Sequence, residues 1–397
     1  MLFRSLILRV SDLSTRFFTK AGQVNAVESL SLDVAAGEVF GIVGESGSGK
    51  SVTARSLIRL IESPGEITDG SIEYREPDLA DRLREEFPDA VDGEFVDLLS
   101  IPASVHRSLR GPKFSMIFQD PESSFNPSLT VGEQIAEAVE VQRQASSNPR
   151  STRARTNSSE YSLRSYAASA VLPGQGFISS ESKDRTVDLL QQVGIPDPEQ
   201  RVDEYPHEYS GGMLQRAMVA QALAGEPDVL IADEPTTALD VTIQAQVLNL
   251  LRDIQEETGM TILLITHNLG VIARMCDRVG VMYAGEIVER GSLGDVFDRP
   301  THPYTQGLLG SIPDLDTAGG RLQPIEGNVP SLLDSEMRNR CYFADRCPKA
   351  MEECLDKPPE YPANGSAGHE VKCYLPDHPY EESRALPDDH FEAGDQP

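Results

Sequence analysis

The pattern of apolar and polar positions predicts strands that alternate with helices. Positions 30–34 alternate apolar and polar residues, which is typical of a strand with one buried face. Residues 39–43, 228–232 and 260–265 are nearly continuous apolar runs, as expected for strands covered on both faces. Residues 241–257 repeat their apolar positions at helical spacing. This order predicts an α/β fold with a largely parallel sheet.

Three stretches interrupt this order, and their composition predicts solvent-exposed or disordered chain. Residues 73–97 hold ten acids and three bases with little periodicity, which predicts a solvated acidic insertion. Residues 141–180 hold ten serines, five arginines and one acid, which is typical of a flexible or disordered insertion. Residues 376–397, with seven acids and one base, predict a disordered acidic tail.

The charge balance narrows the classes of partner. The 397 residues include 63 Asp and Glu against 35 Lys and Arg, a formal net charge of −28. Binding to phosphate backbones requires Lys and Arg, so nucleic acid is not expected as a partner. An acidic surface suits a salt-rich cytoplasm, because screening removes the self-repulsion, and it predicts a halophilic source. No apolar run approaches the roughly 18 to 20 residues of a membrane helix, so we expect a soluble, intracellular chain.

The segment from Gly44 to Ser51 reads GESGSGKS, which fits the phosphate-binding pattern GxxxxGK[ST]. It follows the apolar strand 39–43 and precedes a stretch of helical spacing, which is the context that this pattern requires. The glycines let backbone N–H groups curl around phosphates, while Lys50 would reach the β and γ phosphates and Ser51 would hold Mg²⁺. The predicted nucleotide-binding positions are Gly44, Glu45, Ser46, Gly47, Ser48, Gly49, Lys50 and Ser51.

Two further segments add carboxylates and an anion site. An apolar strand ends in Asp233, which could hold Mg²⁺ through water, and Glu234, which could polarise an attacking water. Residues 209–216 read YSGGMLQR, in which Ser210, Gly211 and Gly212 precede a helix whose first N–H groups would bind an anion. In isolation, the first could be a strand-end acid pair and the second a simple Ser N-cap. Together with the phosphate loop, they indicate one nucleotide site.

These segments resemble the ATP-binding cassette of ABC transporters, whose signature LSGGxxxR is similar to YSGGMLQR here. The resemblance implies a P-loop NTPase (RecA-like) cassette with an α-helical subdomain. It implies that Gln119 senses Mg²⁺ and water in the Q-loop, that residues 238–240 form the D-loop and that His267 contacts the γ-phosphate. It also implies an aromatic residue stacked on adenine. Phe17 fits best, with the adjacent Phe18 and plain core packing as alternatives.

Longer strings are similar to those of the ATPase subunits of dipeptide and oligopeptide importers. They are MIFQDP at 116–121, YPHEYSGG at 205–212, IADEPTTALDVT at 231–242 and HPYTQGLL at 302–309. The resemblance implies that ATP hydrolysis drives uptake of di- or oligopeptides through membrane permease subunits. It also implies a head-to-tail dimer with a second copy or a paralogue, and a peripheral position on the cytoplasmic side of the cell membrane. An extracytoplasmic peptide-binding protein would take part indirectly.

Other functions stay open at this point. Nickel importers share much of the pattern, so import of nickel or another solute is the main alternative. A non-transport cassette ATPase fits less well, because the chain has neither tandem cassettes nor a long coiled coil. A cassette without hydrolysis is disfavoured by the presence of Lys50, Glu234 and His267.

Four cysteines lie where this subfamily carries an extra C-terminal domain: Cys341, Cys347, Cys354 and Cys373. Four thiols in an intracellular protein suggest a metal more than disulfides, yet their spacing lacks the CxxC of typical zinc sites. In this subfamily the pattern is associated with a 4Fe-4S cluster, which needs four thiolates. Zinc, free thiols and disulfides are the alternatives.

We therefore predict four regions and three catalytic residues. The RecA-like core covers 1–117 and 226–300, and the helical signature subdomain covers 118–225 with a disordered insertion near 141–182. The C-terminal cysteine-containing domain covers 301–375, and the acidic tail covers 376–397. The predicted catalytic residues are Gln119, Glu234 and His267, and the predicted Mg²⁺ ligands are Ser51, Gln119 and Asp233.

Overall fold

Strands and helices alternate along most of the chain. The computed structural model describes residues 5–147, 180–237, 239–311, 325–333, 339–363 and 368–386. The strands are β1 (Leu6–Thr19), β2 (Gly22–Ala35), β3 (Val39–Val43), β4 (Gly65–Arg75), β5 (Val91–Asp92), β6 (Phe95–Asp97), β7 (Phe114–Ile117), β8 (Val229–Asp233), β9 (Thr261–Thr266), β10 (Arg278–Tyr283), β11 (Glu286–Ser292), β12 (Glu360–Pro362) and β13 (Glu370–Lys372). The helices are α1 (Lys50–Leu57), α2 (Pro77–Leu83), α3 (Ala103–Leu109), α4 (Pro121–Ser124), α5 (Val131–Ser147), α6 (Ser180–Gln192), α7 (Pro198–Arg201), α8 (Gly211–Leu223), α9 (Val241–Thr258), α10 (Leu269–Met275), α11 (Leu293–Asp298) and α12 (Pro303–Gly310).

Two compact units divide the chain, and strand β9 begins in one and ends in the other. We call Ser5–Tyr74 together with Leu264–Pro397 the phosphate-loop unit, and Arg75–Leu263 the signature unit. The motif GESGSGKS lies in the phosphate-loop unit, and the motif YSGGMLQR lies in the signature unit. The phosphate-loop unit therefore joins the start of the chain to its C-terminal part.

The phosphate-loop unit contains antiparallel and mixed strand pairings. Strand β1 pairs antiparallel with β2 and with β4. A second group of strands has the order β12-β13-β11-β10-β3, in which β3 and β10 are parallel and the other neighbours are antiparallel. All of β3 is buried, and β2 buries Leu30, Leu32 and Val34 while the intervening residues are more exposed. Both strand patterns predicted from the sequence are confirmed.

The signature unit combines a parallel strand pair with packed helices. Strands β7 and β8 are parallel, and all five residues of β8 are buried. Helix α9 begins at the cap residue Asp240, whose Oδ1 accepts hydrogen bonds from the backbone N–H groups of Thr242 and Ile243 at 2.9 and 3.0 Å. Gly259 ends it in the left-handed conformation. Helices α5, α6 and α8 pack against one another.

The acidic stretch 73–97 has more structure than its composition predicts. It contains helix α2 and the two short strands β5 and β6, which pair antiparallel. Its acidic side chains are mostly exposed, as expected, but Leu79, Leu83 and Val96 are buried. The spacing of these apolar residues is too irregular to show helical or strand periodicity, because the segment changes from helix to hairpin within a few residues.

The two other interruptions are only partly described. The predicted insertion near 141–182 lies mostly outside the described residues, and its two ends are helical because α5 runs to Ser147 and α6 begins at Ser180. Of the acidic tail, residues 376–386 are described, and the prediction of disorder is wrong for them. Arg384 forms an ion pair with Glu353, and Leu386 donates its backbone N–H to the carbonyl of Ala350 at 3.1 Å. Residues 387–397 lie outside the described residues.

Candidate functional site

The phosphate loop follows strand β3 and leads into helix α1. Gly47 and Gly49 have positive φ angles of 80° and 102°, which side-chain-bearing residues rarely adopt. The Lys50 ammonium is nearly buried, and it donates hydrogen bonds to the carbonyl oxygens of Gly44 and Glu45 at 2.8 Å each. The loop is therefore curled around the lysine that the sequence predicted to reach phosphates.

Close packing explains two of the loop's glycines. A Cβ atom at Gly44 would lie 2.1 Å from the carbonyl oxygen of Met282, and one at Gly49 would lie 2.2 Å from that of Ala26. Both distances are too short for any side chain. Strands β10 and β2 therefore fix the path of the phosphate loop from two sides.

Two side chains far along the sequence hold Glu45, the second residue of the loop. The hydroxyl of Tyr304 accepts a hydrogen bond from the backbone N–H of Glu45 at 3.0 Å. The guanidinium of Arg346 contacts both carboxylate oxygens of Glu45, at 2.8 and 3.1 Å. Neither Tyr304 nor Arg346 is predicted from the sequence as a residue of this site. A cue in hindsight is the acid at position 45, because a carboxylate in a loop that binds phosphate needs a cation beside it.

The signature unit brings together Gln119 and Glu234, two of the predicted catalytic residues. The side-chain amide of Gln119 donates to Glu234 Oε2 at 3.1 Å, and the hydroxyl of Thr237 donates to the same oxygen at 2.9 Å. Glu234 has a φ of 49°, which turns the chain sharply after β8. Asp233, the last residue of β8, is buried. Thr237 is not among the site residues predicted from the sequence.

The segment 209–216 has the geometry that its sequence predicts. Ser210 caps helix α8, and its Oγ accepts from the backbone N–H of Met213 at 3.3 Å. Ser210 and Gly211 are exposed, and a Cβ atom at Gly211 would meet nothing within 4 Å. Tyr209, which stands where the signature usually has Leu, is buried, and its hydroxyl donates to the carbonyl of Arg201 at 2.9 Å. Burial raises the pKa of Tyr209, so this hydroxyl stays neutral at physiological pH.

The remaining predicted residues are distributed between the units. His267 is exposed at the end of β9, just before Asn268, which caps α10. Phe17 is half-buried on β1 opposite Gly65, whereas the adjacent Phe18 is exposed. In the predicted D-loop, Ala238 lies outside the described residues, and Asp240 caps α9.

The four C-terminal cysteines line one small cavity in the phosphate-loop unit. His302, Phe343 and Lys349 also contribute to its walls, together with the side chains of Met351 and Leu375. The segment around the cavity consists of short 3₁₀ turns and loops with two small apolar clusters, one around Met351 and one around Val371. This arrangement brings together thiols that are 6 to 32 residues apart in the sequence.

The thiols of this cavity are neutral at physiological pH. Burial raises the pKa of Cys347 to about 12 and that of Cys373 to about 11, and the neighbouring cysteines add to both shifts. Burial also raises the pKa of Cys341 and of Cys354. His302 is neutral as well, because burial lowers its pKa to about 3. Ionising several of these thiols together would be unfavourable unless a cation entered the cavity.

The cysteines share a cavity without a preformed ligand geometry. Across the six described ranges, no group of three or more His, Cys, Asp or Glu side chains is arranged to hold a metal ion. The five cysteines, all within the described ranges, are free thiols in the structure. Cys276, the residue after the end of α10, is buried.

The described helices do not include one with both the length and the apolar character needed to cross a membrane.

Family models match both parts of the chain. Residues 27–237 match the family described as ABC transporter, and residues 288–354 match the C-terminal region of oligopeptide/dipeptide transporters.

Curated relatives match nearly the whole chain. The dipeptide transport ATP-binding protein DppD of Haemophilus influenzae is 41% identical over 370 residues, which are 93% of this chain and 96% of that protein. DppD of Bacillus subtilis is 42% identical over 374 residues, or 94% of this chain and 95% of that protein. The oligopeptide transport ATP-binding protein AppD of Bacillus subtilis is 41% identical over 96% of this chain and 99% of its own.

Solved structures show the same fold at lower identity. A dimeric ATP-binding cassette in a post-hydrolysis state, bound to ADP and Pi, has a TM-score of 0.51 at 22% identity and covers 72% of this chain and 98% of its own. A nucleotide-free ATP-binding cassette from an ABC transporter has a TM-score of 0.53 at 18% identity, covering 77% and 98%. The predicted cassette fold is therefore confirmed, and the chain belongs to the ABC transporter family, among the ATP-binding proteins of dipeptide and oligopeptide transport.

Proposed function

We propose that this chain is the ATPase subunit of an importer of di- or oligopeptides. The observation that carries the proposal is the 41% identity to a dipeptide transport ATP-binding protein over 93% of the chain. The match includes the C-terminal region as well as the cassette, which favours peptide transport over other uses of the same ATPase.

The phosphate loop supplies the groups that would bind ATP. Its N–H groups and the N-terminus of α1 provide a positive pole for the phosphates, and Lys50 adds a full charge. In the structure Lys50 donates to two loop carbonyls, so phosphate oxygens would replace those acceptors when nucleotide binds. Ser51, Gln119 and Asp233 would hold Mg²⁺, which neutralises charge on the phosphates when it is bound. Phe17 would stack on adenine.

Glu234 would act as the general base on the attacking water. Gln119 and Thr237 both donate to its Oε2, which fixes the orientation of the carboxylate. His267 would contact the γ-phosphate from the end of β9. In these roles, Glu234 and His267 would lie where charge develops in the transition state, and each would carry or accept part of that charge.

We infer that the chain works as one half of a head-to-tail cassette dimer. Ser210, Gly211 and Gly212 would bind the ATP held by the opposite cassette, because Ser210 and Gly211 lie exposed at the start of α8. Residues near Gln119 would contact the permease, so that closing and opening of the dimer would switch the permease between its two states. We propose a peripheral position on the cytoplasmic side of the membrane, with peptides delivered by a binding protein on the other side.

Cys341, Cys347, Cys354 and Cys373 would hold a 4Fe-4S cluster. The donor set fits, because four thiols line one cavity and such a cluster needs four thiolates. A bound cluster would supply the positive charge that buried thiolates require, and it would cross-link a loop-rich segment that would form the C-terminal domain. Elemental analysis of protein purified without oxygen tests this. Iron and sulfide in the protein would support the cluster, and one zinc per chain would contradict it. A protein that contains neither iron nor zinc would contradict any bound metal at these cysteines.

The charge of −28 supports a halophilic source. Stability in molar potassium chloride tests this inference, because screening should stabilise so acidic a chain. A melting temperature that does not rise with salt contradicts it.

Uptake by reconstituted vesicles tests the proposed function. The chain would be assembled with its permease subunits and the peptide-binding protein, and uptake of a labelled dipeptide would be compared with uptake of Ni²⁺. We expect ATP-dependent dipeptide uptake that is lost in Glu234→Gln. Uptake of Ni²⁺ without dipeptide uptake would contradict peptide import while leaving the ATPase assignment intact.

A further inference from the structure

Arg346 links the cysteine cavity to the phosphate loop. We propose that Arg346 neutralises and positions Glu45, so that the structure around the cysteine cavity sets how tightly the phosphate loop binds nucleotide. This inference rests on the proposed function, because it takes the loop to be the nucleotide site. The proposal assigns a role to Arg346, a residue of the C-terminal region that is not part of the cassette motifs.

The contact between Arg346 and Glu45 is bidentate and largely shielded from water. The two guanidinium nitrogens lie 2.8 and 3.1 Å from the two carboxylate oxygens. The exposed fraction of the side chain is 5% for Arg346 and 30% for Glu45. Bidentate pairs of this kind fix orientation as well as charge.

Other contacts hold the guanidinium in place. Arg346 Nε donates to the carbonyl of Glu326 at 2.9 Å, and Nη1 donates to the hydroxyl of Tyr283 at 3.3 Å. The group also lies over the rings of Tyr283 and Phe343, at 5.7 and 6.0 Å from the centroids. Arg346 is therefore a fixed charge, and Glu45 is held against it.

The charge of Glu45 explains why such a fixed cation matters. A carboxylate within a phosphate loop repels the phosphates that the loop has to bind. Because Glu45 is paired with Arg346, the pair presents little net charge to an incoming nucleotide. Removal of Arg346 alone would leave an uncompensated negative charge beside the nucleotide.

The same short segment reaches the cysteine cavity. Arg346 ends the 3₁₀ turn Ala344–Arg346, and the next residue is Cys347, whose backbone N–H donates to the carbonyl of Ala344 at 3.2 Å. Phe343 and Cys347, on either side of this turn, both line the cavity. Any change in how Cys347 is held therefore moves the backbone that carries Arg346.

Nucleotide affinity of the purified full chain tests the proposal, with the Mg²⁺ complex of a non-hydrolysable ATP analogue as probe and calorimetry as readout. Arg346→Gln should weaken binding by about 3- to 30-fold, the range typical of residues that couple neighbouring sites. Arg346→Lys should recover part of the affinity. The matched control is Arg340→Gln, because Arg340 forms a bidentate pair at 2.6 and 3.0 Å with Asp345, a residue of the same segment and not of the phosphate loop.

A double replacement separates charge from folding. In Arg346→Gln combined with Glu45→Gln, affinity should return towards that of the wild type, because the uncompensated carboxylate is gone. Cys347→Ser should weaken binding in the wild-type background and have little effect in the double variant. The melting temperature without nucleotide reports any general loss of structure in each variant.

The possible results distinguish failure of this inference from failure of the proposed function. Equal nucleotide affinity in Arg346→Gln and Arg340→Gln would overturn this inference but not the proposed function. A double variant that binds nucleotide no better than Arg346→Gln would do the same. An unchanged affinity in Cys347→Ser would overturn the link to the cavity. A wild-type chain that binds no nucleotide would overturn the proposed function, and this inference with it.

Discussion

The phosphate loop and the cysteine cavity lie in the same compact unit and are built in opposite ways. The loop is eight consecutive residues, and its conformation follows from glycines, a lysine and the start of a helix. The cavity gathers four cysteines from a span of 33 residues, and it is lined by side chains from α12 and from several turns. The loop also depends on contacts from distant segments, because the side chains that hold Glu45 lie 259 and 301 residues away in the sequence. A motif can thus be complete in sequence while its support is assembled only by the fold.

Replacement of the signature serine should give a larger change than the lysine, glycine and pH changes described next. Ser210→Arg places a long cation where a nucleotide phosphate is expected, so closure of the cassette dimer should fail. Hydrolysis by the assembled transporter should fall by about 100-fold or more, while binding of nucleotide to the isolated chain stays nearly unchanged. Loss of binding in the isolated chain would contradict a site that acts across the dimer.

The loop lysine should give the next largest effect. Lys50→Ala removes a charge at the phosphates, and the affinity for nucleotide should fall by about 10- to 100-fold, as for other charge-assisted hydrogen bonds. Calorimetry measures this loss, with the exposed Lys20→Ala as the matched control. Unchanged affinity in Lys50→Ala would show that this loop is not the phosphate site.

A methyl group tests how tightly the fold holds the loop. Gly44→Ala should destabilise the chain by about 1–3 kcal/mol, because the added atom overlaps the carbonyl of Met282 and the backbone must shift. Thermal unfolding would be compared with Gly211→Ala, where the added atom meets nothing within 4 Å. Equal melting temperatures for the two variants would contradict the close packing of the loop.

Alkaline pH should weaken the cysteine region by a smaller amount. The folded state raises the pKa of Cys347 to about 12 and that of Cys373 to about 11, so the folded chain holds protons that the unfolded chain loses from about pH 9 upward. This contribution is complete below pH 9 and is lost as the pH rises towards these values, by about 1 kcal/mol per thiol between pH 9 and 10.

Limited proteolysis of reduced, metal-free protein around residues 340–375 checks the pH prediction. Cleavage should speed up between pH 8 and 10, and Cys347→Ser should reduce the pH dependence. A cleavage rate that does not change over this range would contradict buried neutral thiols.

The sequence was sufficient for elements whose signals are local. Strand β3, strand β8 and helix α9 follow from apolar runs and from helical spacing, and the cap at Ser210 follows from its hydroxyl before two glycines. The family resemblance likewise followed from contiguous strings. Each of these features is decided within a window of a few residues, so neighbouring positions carry the whole signal.

The sequence was insufficient where distant segments meet. Composition alone suggested a free tail after residue 375, yet Arg384 pairs with Glu353 and Leu386 bonds to Ala350. The hairpin within 73–97 and the Arg346–Glu45 pair could not be predicted for the same reason. The partner of a single apolar or charged residue is determined by the fold and not by its neighbours in the sequence. Hydropathy and charge counts describe a segment, and they do not describe what covers it.

Glu234 provides the most direct test of the central claim that this chain hydrolyses ATP. The measurement is the rate of ATP hydrolysis by the assembled transporter carrying Glu234→Gln, with any partner cassette replaced at the same position and with nucleotide binding measured in parallel. Glu256→Gln, on the exposed face of α9, is the control. We predict that hydrolysis falls by about 10²–10⁴-fold, the usual contribution of a general base, while nucleotide binding is retained. Hydrolysis at the wild-type rate in Glu234→Gln would contradict the account.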